Sequence, residues 1–293
     1  MTHADNRLNG RVCLVTGATS GIGEVTARVL AQMGATVIVV GRDPQRGAAT
    51  LDRIKEAAPT AQVEFMLADL SSQAQVRQLV QEFKRKYSRL DVLVNNAGGV
   101  FPAHKQSVDG FEMTFTLDHL NYFLLTNLLL DTLKASTPAR IVNVASEAHR
   151  RVPGMNFDDL QSERGYNSIR AYGQAKLANI LFTYELARRL EGTNITVNAL
   201  HPGVVATNFW LSNTRSRRNN GIIRTLATRL TRLVMISPEQ GAQTSIYLAA
   251  SPEVDGVTGR YFQEKKETQS SPASYDHAAA ARLWQLSEAM TGL

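Results

Sequence analysis

Tyr172-Gly-Gln-Ala-Lys176 places a phenol and an ammonium four residues apart, one helical turn, on a common face. The pairing suits acid–base work. A phenol with a pKa of about 10 carries protons poorly at neutral pH, and a nearby cation stabilises its anion and lowers that pKa. A second match, Tyr261-Phe-Gln-Glu-Lys265, falls at the end of an expected strand and is read as accidental. Upstream of Tyr172, the run Asn143-Val-Ala-Ser146 brings a hydroxyl out at the carboxyl end of a strand, where open α/β sheets bind their ligands.

A different chemistry is written near the start. Thr16-Gly-Ala-Thr-Ser-Gly-Ile-Gly23 continues an apolar run and opens a helical pattern. Glycines there let the backbone turn tightly and approach a pyrophosphate, whose charge is met by the N–H groups of the helix start. An acid about 20 residues further on would hold a ribose 2′-hydroxyl. Gly41 stands there instead, with Arg42 immediately after. A guanidinium suits a 2′-phosphate better than a 2′-hydroxyl, so NADP(H) is expected over NAD(H), the alternative being a solvated arginine.

These residues need a frame. Val12–Thr16, Thr36–Gly41, Val63–Ala68, Val92–Asn95, Arg140–Val144 and Ile195–Leu200 read as strands, and Thr258–Phe262 as a last one. Most are continuous apolar runs, the pattern of strands covered on both faces and hence of a parallel sheet. Segments 21–33, 44–57, 72–87, 109–134, 167–191 and 238–250 read as helices. With 43% hydrophobic residues the chain can bury a large core, and no repeat or composition break divides it. One doubly wound α/β domain over 1–293, of about seven strands, is the expectation.

Composition narrows the class further. Cys13 is the single cysteine, so there is no intrachain disulfide framework and a reducing compartment is expected. The first ten residues lack the apolar core of a signal peptide, and no run reaches the roughly 18 apolar residues of a spanning helix. A soluble, cytoplasmic protein follows as the expectation. There is no HExxH, no paired-cysteine site and no GxSxG, so no metal site is expected. The net charge of +6 is uneven: six arginines and no acid lie between Phe209 and Pro238. Nucleic acid is not the expected partner, because no aromatic interleaving accompanies them.

TGATSGIG, Asp69-Leu70, Asn95-Asn-Ala-Gly98, Ser146, Tyr172-x-x-x-Lys176 and His201-Pro-Gly203 follow the order and spacing of the short-chain dehydrogenases/reductases, which the chain resembles over nearly its whole length. NVASEAH, LQSERGY and AYGQAKLANILFT resemble the retinol-dehydrogenase-like branch, without that branch's membrane anchor. The resemblance implies a Rossmann-type fold and assigns roles. Tyr172 would exchange the proton at the substrate oxygen and Ser146 would hydrogen-bond that oxygen. Lys176 would bind the nicotinamide ribose and depress the Tyr172 pKa. Gly17, Thr19, Ser20, Gly21, Ile22 and Gly23 would cradle the pyrophosphate. Asp69, with Leu70, would meet the adenine, while Asn95, Ala97 and Gly98 would line the cofactor. Pro202, Gly203, Val205 and Thr207 would bind the carboxamide. A homodimer or homotetramer is also expected, since helices 109–134 and 167–191 hold more apolar residues than one buried face needs.

Ile222 to Val234 separates into an apolar arc and an arc of arginines and threonines at about 100° per residue. Three readings stay open: a lid over a lipophilic substrate within about 208–236, an ordinary surface helix, or a weak membrane-surface contact. A C-terminal extension is expected at about 264–293. The leading function is an NADP(H)-dependent oxidoreductase interconverting a lipophilic alcohol and its aldehyde or ketone. The rival is a non-catalytic NADP(H)-binding sensor on the same fold. One position departs from the family pattern, for Asp118 stands where that pattern implies an asparagine. Asp118 could substitute through a helix kink that offers a backbone carbonyl, Asn121 could supply the amide, or the proton relay could be impaired. His119 has no evident role.

Overall fold

The computed structural model describes residues 7–203 and 236–293. Its strands are β1 (Val12–Thr16), β2 (Thr36–Gly41), β3 (Val63–Leu67), β4 (Val92–Asn95), β5 (Ala139–Val144), β6 (Ile195–His201), β7 (Arg260–Gln263) and β8 (Lys266–Glu267). They form one sheet in the order β3-β2-β1-β4-β5-β6-β7-β8, parallel except for the β7–β8 pair. The helices are α1 (Gly21–Gln32), α2 (Pro44–Ala57), α3 (Gln73–Lys86), α4 (Met113–Phe115), α5 (Asn121–Lys134), α6 (Ser168–Arg189), α7 (Pro238–Ala250) and α8 (His277–Thr291).

Alternation along β1 shows why its run is apolar throughout. Val12 and Leu14 join the core beneath one face, with Phe123, Leu129 and Leu186. Cys13 and Val15 join the core beneath the other, with Leu30, Ile54 and Leu248. Both faces of the strand are roofed by helices, so neither set of side chains meets water. Strand order reverses between β1 and β4, and that switch point opens the crevice in which ligands of such sheets bind.

Two departures from the sequence reading bear on the site. The helix expected over 109–134 begins at Met113, where the buried Glu112 accepts from the N–H groups of Thr114 and Phe115. It then passes through a π-helical turn, Thr116–Leu120, before α5. Second, the C-terminal extension is an ordered cover. Glu264 and Lys265 take positive φ and turn β7 into β8, and α8 then packs on α6. Trp284 of α8 lies 4.9 Å from the Phe123 ring and 5.8 Å from Phe182. Part of the apolar surface of α5 and α6 is thus covered by α8, while Leu128 and Leu130 are only partly buried and Ile169 is exposed.

Segment 204–235, with Val205, Thr207, nearly all of the expected lid and the amphipathic stretch 222–234, lies outside the described residues. Among the described residues no helix is long and apolar enough to cross a membrane.

Candidate active site

The glycine-rich turn leaves β1 and enters α1 against the strand β4. Gly17 has φ 62°, and a Cβ there would stand 2.8 Å from Ala97 Cα. A Cβ on Gly23 would come within 2.5 Å of the Gly17 carbonyl oxygen and 2.4 Å of Asn96 Nδ2. The turn is braced from β4: Asn96 Nδ2 donates to Thr16 O at 2.8 Å, and Thr16 Oγ1 accepts from the N–H groups of Asn96 and Ala97. Ser20 caps α1 without a side-chain hydrogen bond, which leaves the first N–H groups of the helix to face the cleft.

Gly41 ends β2 and is closed by packing, since any side chain there would meet Thr19 Cγ2 at 2.5 Å. Arg42 follows on the rim, exposed, and Arg46 stands near it with Asp43 at 3.6 Å.

A cleft of about 610 Å³ runs along the carboxyl ends of the strands. It is walled by Gly17, Thr19, Ser20, Gly21, Ile22 and Gly23 at one end, and by Arg42, Asp69 and Leu70 beside them. Ala97, Gly98, Ser146, Tyr172, Lys176, Pro202 and Gly203 complete it. Nearly every site residue of the described segments is therefore brought to one crevice. Asp118, fully buried, does not line it, and neither does Asn95. Asn95 is fully buried, with Nδ2 donating to Thr126 Oγ1 at 3.0 Å and Asn143 Oδ1 at 2.9 Å, and it ties β4 to β5 and α5. Its neighbour Asn96 takes the wall.

Ser146 leaves β5 and caps a short 3-10 turn, its Oγ accepting from Ala148 N–H at 3.2 Å. Tyr172 and Lys176 project from α6, whose cap Asn167 accepts from Arg170 N–H. Ser146 hydrogen-bonds the Tyr172 hydroxyl. Lys176 is almost wholly buried; its Nζ donates to Val144 O at 3.1 Å and lies 5.5 Å from the ring centres of Tyr122 and Tyr172.

The electrostatics differ from the sequence expectation. Burial raises the Tyr172 phenol above its usual value, Asp118 raises it further, and the Ser146 hydrogen bond opposes them. Burial pulls the Lys176 ammonium below the usual lysine range, with Asp118 working against that. Instead of a phenol depressed by lysine, the site holds a phenol kept protonated by burial and a neighbouring carboxyl. Burial is the larger cause and Asp118 the second.

Asp118 sits in the π-helical turn with no solvent exposure. Its Oδ1 accepts from Gly99 N–H at 2.6 Å, and burial pushes its pKa up to about 7 against the pull of Lys176. Asn121 Nδ2 donates to Leu117 O at 2.8 Å, inside its own helix. His119 bridges Asn179 at 3.4 Å and Ser287 Oγ at 3.0 Å, so it fastens the turn to α6 and α8; burial lowers its pKa to about 4.

His149 was overlooked although it stands in the Ser-Glu-Ala-His stretch. Its Nε2 accepts from Ser271 N–H at 3.0 Å, which fixes the proton on Nδ1, and Nδ1–H donates to the Ser146 carbonyl at 2.6 Å. The C-terminal segment thus holds Ser146 in place. Tyr261, of the second Tyr-x-x-x-Lys match, is buried with its ring 5.2 Å from His149, while Lys265 is exposed on the β7–β8 turn. That match is structural. Among the described residues no cluster of His, Cys, Asp or Glu could hold a metal ion.

The fold and this crevice define a nucleotide-cofactor oxidoreductase site, and comparison with known proteins says which kind. The short chain dehydrogenase family model matches residues 11–218. Retinol dehydrogenase 14 of Homo sapiens is 45% identical over 98% of this chain and 88% of its own length. Polyprenol dehydrogenase of Homo sapiens is 43% identical over 97% and 86%. A solved structure of an uncharacterized protein from Mycobacterium paratuberculosis superposes with a TM-score of 0.77 at 35% identity, covering 97% and 94%. The chain belongs to the short-chain dehydrogenase/reductase family, within its retinol-dehydrogenase-like branch. It is an NAD(P)-binding oxidoreductase acting on CH–OH groups and the carbonyls they become.

Proposed function

We propose that the chain interconverts a lipophilic alcohol and its aldehyde or ketone with NADP(H), Tyr172 serving as the general acid and base. The observation that carries this reading is the convergence of Ser146, Tyr172 and Lys176 on the same crevice as the glycine-rich turn. The cradle fits a dinucleotide. The glycines seat the turn tightly against Ala97 and Asn96, and the Ser20 side chain leaves the first α1 N–H groups uncapped. Arg42 on the rim supports a 2′-phosphate, with Arg46 adding positive charge. Asp69 and Leu70 would hold the adenine end, and Pro202 and Gly203 the carboxamide, with Val205 and Thr207 as their expected continuation.

When bound, the nicotinamide supplies or accepts the hydride at the substrate carbon. The protein's part is position and proton. In the reducing direction Tyr172 Oη gives its proton to the carbonyl oxygen while Ser146 Oγ holds that oxygen. Lys176, fixed to Val144 O, stabilises the phenolate that results. Val100, Leu117 and the exposed Ile169 line the mouth, which supports an apolar substrate. The relatives named for retinol and polyprenol support the same class.

The test is to mix protein and NADPH with medium-chain aldehydes, retinal and aromatic ketones while following cofactor absorbance. Wild type turns over at least one member, and Tyr172→Phe loses about 10²-fold or more with cofactor affinity kept. Tight NADPH binding without oxidation by any member would instead favour the sensor reading.

A further inference from the structure

Asp118 is a buried carboxyl placed among the groups that carry the proton. Oδ1 is held by Gly99 N–H at 2.6 Å, and Oδ2 is buried with no hydrogen-bond partner. A methyl group on Gly98 would meet Asp118 Oδ1 at 2.6 Å and Lys176 Nζ at 3.3 Å. Carboxyl and ammonium therefore face one small volume beside the cleft wall. The groups that feel this carboxyl or act on it come from every element around it. Lys176 and Tyr172 belong to α6, Tyr122 to α5, Glu112 to the α4 cap and Tyr166 to the loop before α6.

We infer that Asp118 sets the working pH range of the site, holding Tyr172 in its proton-donating form far into the alkaline range and so widening the range of carbonyl reduction at the expense of alcohol oxidation. The inference rests on the reading of Tyr172 as the proton donor. Reduction moves a hydride to the carbonyl carbon and the Tyr172 proton to the carbonyl oxygen, leaving a phenolate. Oxidation is the reverse and begins from the phenolate. Asp118 cannot alter the overall equilibrium between alcohol and carbonyl. It can decide at which pH each starting form is populated.

The sign follows from the charges. Asp118 loses its proton near pH 7, before the phenol would, so a negative charge is already present when Tyr172 begins to ionise. A second negative charge in the same low-dielectric space is disfavoured, and the phenol pKa rises. Removing the carboxylate lowers the pH at which the next proton leaves, whether Tyr172 or Lys176 releases it. Asp118 acts through these two side chains and is a positioning residue.

Asp118→Asn tests this, because the amide keeps an acceptor for Gly99 N–H and loses only the charge. With one carbonyl and alcohol couple that the wild type turns over, kcat/KM is followed in both directions across about pH 5 to 11. The reductive basic limb and the oxidative rising limb are expected to move down together by about 1 unit or more, raising oxidation near neutrality about tenfold. Cofactor affinity stays within about twofold, a readout that a fold defect would not preserve. Asp118→Ser, smaller and uncharged, serves if the amide variant does not fold, and the same downward shift is expected. Limbs that stay in place or move up in a folded, cofactor-binding variant overturn the inference. Tyr172→Phe in parallel separates the two claims: if it keeps turnover, the reading of the site itself fails.

Discussion

Gly98 and Gly99 adjoin in sequence, yet they should respond oppositely to the same added methyl group. At Gly98 a Cβ would stand 2.6 Å from Asp118 Oδ1 and 3.3 Å from Lys176 Nζ. Neither neighbour can retreat freely, since both are buried and hydrogen-bonded, to Gly99 N–H and Val144 O. If the carboxyl stays, the overpacking costs about 1–3 kcal/mol. If it turns away, the charge-assisted bond to Gly99 is lost, at about 1.5–3 kcal/mol. Either route gives about 2 kcal/mol, or a fall in Tm of about 5 °C for a chain of this size. At Gly99 the nearest atom is Leu117 Cδ2 at 3.6 Å, an ordinary contact, so Gly99→Ala should stay within about 0.5 kcal/mol of wild type. The assay is thermal unfolding of both variants together with kcat/KM on a reactive aldehyde. Gly98→Ala is expected to lose about 10²-fold in activity, the scale of displacing catalytic groups by a fraction of their contact distance. Matching melting curves and matching activity for the two variants would refute the crowding of Asp118 and Lys176 over Gly98.

Further expectations follow from charged groups elsewhere. Arg42→Ala should weaken NADPH binding by about tenfold or more and leave NADH binding unchanged, as read by cofactor fluorescence. Equal losses for both cofactors would show that Arg42 does not read the 2′-phosphate. Asp91, 2% exposed, accepts from Val12 N–H at 2.8 Å and from the guanidinium groups of Arg11 and Arg89 at 2.7 and 2.6 Å. Burial alone would raise its carboxyl, and Arg89, the Val12 N–H and Arg11 together reverse this, leaving it below the ordinary range. A depressed carboxyl contributes stability that is present above its unfolded pKa of about 4 and is lost as pH falls through the folded value. Asp91→Asn should therefore cost about 2 kcal/mol at neutral pH in urea unfolding, with the gap from wild type closing under acid. A gap that widens under acid would contradict that sign.

The strands were legible because each is short, apolar and bounded by turn residues. β1, β2 and β4 have the limits read from their sequence, and β3, β5, β6 and β7 differ at their ends. The cleft was legible for a related reason: in a doubly wound sheet, residues just past the strands face one crevice, so motif order predicts proximity. What escaped reading depended on side-chain direction. Asn95 and Asn96 are chemically alike, and only the pleat of β4 decides that Asn95 enters the sheet while Asn96 meets the glycine turn. The π-helical turn was hidden because a single added residue in a helical run leaves the apolar period nearly unchanged. The direction of the Tyr172 shift was hidden because spacing places Lys176 near it without revealing the depth of burial or the nearby Asp118.

Two histidines beside the chemistry are fastened from the far end of the chain, His149 by Ser271 N–H and His119 by Ser287 Oγ. A ribosome delivers those serines after every strand of the sheet. A growing chain can therefore pair β1 through β6 and close the glycine turn long before Ser146 and the Asp118 turn acquire their braces. Assembly of the scaffold and maturation of the chemistry are separate events in time, with the residues from Ser271 onward deciding the second. A chain stopped before Ser271 would carry every strand of its sheet and neither brace of its chemistry.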